Sequence, residues 1–270
     1  MKFTKTIALA LAAGVVSSAA FAQEAEGDLE FGAYAGTVLK NGYLSNGYVF
    51  YDDTVLQSYA GVTAGNDDIG TFDLNIWNSW GIGSSHDRKN YGSCDASEID
   101  YELDYSKSYE DFDFMLGVAA WVYPDTDDSF DEWVGKVAVG YNGFVVRPEL
   151  NARFGLEGQQ GCYGQFKLSK NFDLAEDVCE GLSAKVYGLL GAASKSYRKG
   201  KGVDKNGLVD VELGATISYE FCDNASICAG VQYAIIVDDD LRDAIDSGDA
   251  FMASGDKENF MYFVGADIWF

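Results

Sequence analysis

The 270-residue chain has two prolines, one histidine and no stretch of eighteen consecutive apolar residues. Each shortage excludes something. Without such a run, no transmembrane helix is expected. Scarce proline suits long hydrogen-bonded strands, where a missing N–H would break the ladder. The lone histidine, His86, falls in a polar stretch with no serine motif beside it. A hydrolytic site needs a histidine or carboxylate poised against a nucleophile, so no catalytic residue is assigned and no enzyme is expected. Glycine-rich phosphate loops and His/Cys zinc spacings are missing too, so neither cofactor nor metal is expected. Basic residues are few, 19 Lys and Arg against 43 Asp and Glu, and a net charge of −24 argues against a nucleic-acid partner.

What is present begins with Lys2 and Lys5, an apolar segment from Ile7 to Val16, and Ala20-Phe21-Ala22. A basic start, a short apolar stretch and an A-x-A site read as a signal peptide over residues 1–22. Residues 23–270 then form one exported domain, and losing Lys2 and Lys5 takes its charge to −26. Glycine is abundant (31 residues) and aromatics reach 14%.

Period-two alternation runs through that domain. The last strand, 260–270, places Phe260, Tyr262, Val264, Ala266, Ile268 and Phe270 on one face and Asp267 on the other. An aromatic face ending a chain suits a strand that meets hydrocarbon rather than water. Further strands are expected near 29–51, 55–65, 71–81, 98–105, 112–123, 133–141, 144–156, 162–170, 182–194, 208–220 and 227–237. The first, broken by glycines, reads as one kinked strand or two. Asn142-Gly143 reads as a two-residue hairpin turn. Taking 29–51 as one strand gives an even count of twelve, as bacterial barrels require. The three longest connections, near 82–97, 195–207 and 238–259, fall on the same side of the alternation. Barrels sort loops this way, with short periplasmic turns and longer outer loops. The expected fold is all-β: an antiparallel up-and-down transmembrane barrel of about twelve strands in the bacterial outer membrane.

Several segments resemble a known family. The stretch Ser45-Asn46-Gly47-Tyr48-Val49-Phe50, then Gln57-Ser58-Tyr59-Ala60-Gly61, Phe72 to Trp80, Glu98 to Tyr105 and Trp121-Val122-Tyr123-Pro124 are similar, in order and spacing, to the TorF-type porins. The aromatic C-terminal strand also resembles the signal of bacterial outer-membrane proteins, with Phe260, Tyr262, Val264, Ile268 and Phe270 read by the barrel assembly machinery. These resemblances imply an outer-membrane channel among lipid and lipopolysaccharide, with no catalytic residues.

Parity assigns the charged residues. Glu98, Asp100, Glu102 and Asp104 face the lumen, spaced about 6.5–7 Å apart along one strand. Arg147, Arg153, Lys167 and Lys185 point inward from the next strands, followed by Asp210, Glu212 and Glu220. One acidic and one basic wall would set a transverse field that orients zwitterions and polar solutes. Alternatively these charges pair and plug the lumen. Twelve strands lie between barrels that fill with side chains and barrels that stay open.

Five cysteines belong in an oxidising compartment. Cys222 and Cys228 flank a turn and are candidates for a disulfide, Cys179 with Cys222 is the competing pair, and Cys94 and Cys162 fall on the outer side. The acidic runs Asp125 to Glu132 and Asp238-Asp239-Asp240 match no calcium loop and read as solvated loop charge. The favoured function is a porin-like channel passing small polar or charged solutes. A closed structural or adhesion barrel acting through its acidic loops, and a periplasmic β-sandwich, are the alternatives.

Overall fold

In a computed structural model, residues 29–82, 96–124, 131–157, 161–174, 179–247 and 257–270 of the chain are described. The segment 1–22, read above as a signal peptide, and His86 lie outside them. Twelve antiparallel strands close into a barrel. They are β1 (Glu30–Lys40), β4 (Val55–Asn66), β5 (Gly70–Gly81), β6 (Ala96–Tyr109), β7 (Phe112–Val122), β8 (Glu132–Tyr141), β9 (Arg147–Glu157), β10 (Cys162–Asp173), β11 (Leu182–Ala193), β12 (Gly207–Cys222), β13 (Ala225–Ile236) and β14 (Glu258–Trp269). Each pairs with its sequence neighbour in the barrel, and β14 closes on β1 from Tyr34↔Trp269 to Lys40↔Phe263. The seam is completed by Phe270 N to Ala33 O at 2.8 Å and Ala33 N to Phe270 O at 3.1 Å. Closure leaves no unpaired edge, the condition for a sheet to sit in lipid.

The alternation explains which face goes where. Phe72, Leu74, Leu103, Leu116, Leu150, Leu168, Leu213, Ile217, Ile227 and Val264 stand exposed on the outside. So do Phe260, Tyr262, Ile268 and Phe270. At the short-turn end aromatic pairs ring the exterior: Phe72 with Tyr105 at 5.0 Å, Phe112 with Tyr141 at 4.8 Å and Tyr141 with Phe144 at 4.9 Å. Such an exterior is stable in hydrocarbon bounded by an aromatic girdle, and the molecule is an outer-membrane barrel. No described helix is long and apolar enough to cross a membrane.

Three local expectations change. Residues 29–51 are neither one kinked strand nor two barrel strands. β1 stops at Lys40, and β2 (Tyr43–Ser45) and β3 (Tyr48–Tyr51) form a separate hairpin. Its turn is Asn46-Gly47, with φ of 52° and 77°. Both central residues at positive φ is what a tight two-residue hairpin demands. Asn142-Gly143, by contrast, opens a longer connection, because β9 starts only at Arg147. Phe144, Val145 and Val146 are exposed there beside the girdle. Finally, the outer connections carry two short helices, α1 (Lys195–Lys199) and α2 (Asp239–Ser247). Ser194 caps α1 by accepting from Tyr197 N, and Asp238 accepts from Leu241 N at 3.1 Å at the start of α2.

Candidate channel interior

The β2–β3 hairpin folds into the barrel and packs against its wall. Tyr48 is buried with Tyr163, Ala193, Val203, Val209, Ile236, Leu241 and Ala244. Leu44 and Val49 pack on Ala234 and Met261. A side chain on Gly47 would run into Asp210 and Ile236, so the turn lies directly against β12 and β13. The other flank reaches the opposite wall, where Tyr43 OH donates to Glu98 Oε2 at 2.6 Å and its ring lies 5.6 Å from Trp77. Asn46 Nδ2 donates to Tyr197 OH at 2.9 Å. The hairpin thus spans the lumen at the end that carries the long connections, which is the extracellular end.

Charges lock this packed half. Arg198 is fully buried, and its Nη2 is 2.6 Å from Asp238 Oδ1, tying α1 to the start of α2. Asp239 pairs with Arg242 and Asp240 with Lys205, so each carboxylate of the Asp238–Asp240 run faces a cation. The Asp125–Asp128 run lies outside the described residues, and Asp131 Oδ1 accepts from Tyr123 N at 3.0 Å. Lys201 lies 5.2 Å from the Tyr48 ring and 5.6 Å from Phe50. Burial pushes its ammonium down to about 8, only partly offset by Glu132. Burial likewise pushes the Tyr197 hydroxyl up to about 12.

The opposite half, toward the short turns, is charged and more open. Lys136 Nζ lies 3.0 Å from Glu102 and 2.9 Å from Asp104. Arg147 pairs with Glu149 and with Asp113 at 3.1 Å. Lys167 is 3.9 Å from Glu149 and 5.6 Å from the Tyr187 ring. The lysine side chains here keep 15% and 25% of their surface, and Arg147 keeps 33%.

Glu98, Asp100, Glu102, Asp104, Asp210 and Glu212, together with Arg147, Arg153, Lys167 and Lys185, all occupy interior positions in the strand register. The distribution differs from two opposed walls. Lys136 on β8, which parity reasoning passed over, sits two strands from β6 and binds its carboxylates directly. A second feature went unread: tyrosines, not cations, hold many interior carboxylates. Tyr34 donates to Asp73 at 2.9 Å, Tyr163 to Asp210 at 2.7 Å, Tyr187 to Glu212 at 2.5 Å, and Tyr59 to Asp267. Glu98 accepts from Tyr43 and from Tyr123. A hydroxyl satisfies a carboxylate without cancelling its charge, so the interior field stays negative on both flanks of the basic sector. The signal was visible as Tyr and Asp or Glu sharing inward parity on nearby strands.

No family model matches the chain, and no curated protein matches it. Solved structures do. The fold is similar to an outer-membrane channel from Pseudomonas putida F1, at TM-score 0.50 and 10% identity over 93% of this chain and 98% of that one. A NanC porin matches at TM-score 0.48 and 8% identity over 88% of this chain and 99% of that one. A KdgM porin, solved in complex with disordered oligogalacturonate, matches at TM-score 0.47 and 11% identity over 88% of this chain and 98% of that one. The structural neighbours are porins and outer-membrane channels.

The cysteines are not joined as expected. Cys162, Cys179, Cys222 and Cys228 are all free thiols. Cys222 sits opposite Ala225 while Cys228 sits opposite Ser218. Three residues of strand separate the two thiols, about 10 Å, beyond the reach of a disulfide. Cys222 Sγ instead contacts Asn224 Oδ1 and Cys179 Sγ contacts Glu180 O. Cys94 lies outside the described residues.

Proposed function

We propose that this chain is a porin-like channel for passive diffusion of small polar or charged solutes, narrowed at its outer end by the 41–54 connection. The observation that carries this reading is the partly solvated charged interior of the short-turn half. Glu102 and Asp104 keep 21% and 18% of their side-chain surface, with Lys136, Arg147 and Lys167 also part-open. A barrel held shut by packing would have apolar contacts there. Carboxylates held by tyrosines favour cations at the walls, and the chain's charge of −24 concentrates them at its mouths. Membership of the TorF-type porins, assembly by the barrel machinery through the Phe270 strand, and contact with lipopolysaccharide belong to the same proposal.

One observation favours the closed-barrel alternative. Asp210 and Arg198 are fully buried in the outer half, alongside Tyr48 and Tyr163. Proteoliposome swelling separates the two. Vesicles carrying the folded protein swell in isosmotic glycine or arabinose if the channel reading holds. Swelling no faster than protein-free vesicles contradicts it.

A further inference from the structure

The lipid-facing side of the barrel carries a hollow with a cation below it. In register across β8 to β12, one outward row reads Val137, Ala152, Gly164, Ala192 and Leu208. The three small residues in its middle leave a hollow of about 540 Å³, walled by Leu150, Phe166 and Leu190. A Cβ added to Gly164 would meet nothing closer than Asn151 O at 3.5 Å, so the floor opens outward.

Two lysines of the described strands share the outward parity, Lys107 on β6 and Lys170 on β10, both toward the short turns. Lys107 is committed, donating to Asp68 O. Lys170 enters no ion pair among the described residues, and its ammonium lies 5.0 Å from the Phe172 ring. That holds the charge at the aromatic girdle, where a long side chain snorkels out of the hydrocarbon. The exposed Phe144-Val145-Val146 run lies alongside, because Arg147 is in register with Ser169 and Val146 falls beside Lys170.

The spacing between cation and hollow matches one leaflet. Lys170 and Gly164 are six residues apart on β10, about 20 Å of strand and about 15 Å of height at a tilt of ~40°. Half of a ~30 Å hydrocarbon core is the same ~15 Å. Between them Gly188, in register with Leu168, adds no side chain. An acyl chain leaving a headgroup at Lys170 therefore ends in the hollow. The free ammonium calls for an anion, and at the depth of the girdle that anion is a lipid phosphate. A zwitterionic headgroup brings its own cation to Lys170, whereas a headgroup of net negative charge does not.

We infer that Lys170 and the Ala152–Gly164–Ala192 hollow form a binding site for an anionic phospholipid of the periplasmic leaflet. The phosphate sits on the Lys170 ammonium and one acyl chain lies in the hollow. The site belongs to the exterior of the barrel and is independent of whether the lumen conducts.

The test titrates folded full-length protein in detergent with palmitoyl-oleoyl phosphatidylglycerol or palmitoyl-oleoyl phosphatidylcholine and reads retained lipid by native mass spectrometry. Phosphatidylglycerol should be retained about fivefold more strongly, the effect of one lysine at an anionic headgroup. Lys170→Gln should bring the two lipids level, and Lys107→Gln should leave the preference as it is. Gly164→Leu, whose side chain has open space on that face, should fill the hollow and weaken both lipids severalfold. Heat-modifiable gel mobility checks that each variant is folded, and the comparison of two lipids on the native protein needs no variant. Equal retention by the native protein, a preference that survives Lys170→Gln, or retention unmoved by Gly164→Leu overturns the site. Displacement of phosphatidylglycerol by excess inorganic phosphate also contradicts it, since the headgroup alone would then account for binding.

Discussion

Lys201 shows at the scale of a single residue how the outer half is tuned. Its ammonium is buried against the Tyr48 and Phe50 rings. Burial depresses it to about 8, with Glu132 opposing and Arg153 reinforcing the shift. In water the same group titrates near 10.4. Between those values the undocked state binds more protons, so raising the pH stabilises docking, by up to about 3 kcal/mol over the full window. Below pH ~8 both states are protonated and the dependence flattens. Chymotrypsin cleavage within the 41–54 connection should slow from pH 8 to pH 10, against an unstructured control peptide. Lys201→Met should abolish that slope, and a slope surviving in the variant would refute the assignment. A second residue-scale expectation concerns Gly47. Its positive φ and its approach to Asp210 and Ile236 leave no room for a side chain. Gly47→Val should undock the hairpin, read as faster chymotrypsin cleavage at Tyr48 to Tyr51, with the barrel still folded.

At the scale of elements, the decisive piece is the hairpin itself. Its Asn46-Gly47 turn was legible in principle, being the same dipeptide as Asn142-Gly143. Strand periodicity masked it, because the hairpin's residues alternate as barrel strands do. What distinguishes it is non-local: Tyr48 finds partners on β10 to β13 and on α2, contacts no window of sequence reveals. Asn142-Gly143 misled for the opposite reason. The exposed Phe144-Val145-Val146 run lies by the membrane girdle, and pairing with β8 begins only at Glu149, while Arg147, opposite Ser169 on β10, is held by Asn142, Glu149 and Asp113. The helix α2 was readable from Leu241, Ala244 and Ile245 at helical spacing, though too short to stand out. The Arg198–Asp238 contact couples α1 to α2, and breaking one side of a buried pair costs about 3–5 kcal/mol. Asp238→Ala should therefore loosen the outer cap, seen as faster amide exchange over 195–206 with β5 to β9 unchanged. Uniform exchange across the barrel would contradict this local role.

For the whole molecule, strand number, strand order and the inward parity of the charged residues were legible because a membrane barrel obeys a strict period of two. Charge partnership was not, because pairing depends on reach across neighbouring strands, as with Lys136, and on tyrosines whose hydroxyls hold carboxylates. That arrangement makes the interior net negative although its basic residues are conspicuous in sequence. Glu102→Lys with Asp104→Lys strands Lys136 among like charges and should reduce cation preference. An unchanged reversal potential in that double variant would count against an acidic lumen. The central claim, a cation-favouring channel narrowed by its inward hairpin, is tested most directly in planar bilayers under a KCl gradient. The account predicts discrete current steps with a reversal potential on the potassium side, and steps severalfold larger when residues 42–52 are replaced by a short glycine turn. Absence of steps from both the native protein and the shortened variant, with both folded and inserted, would contradict it.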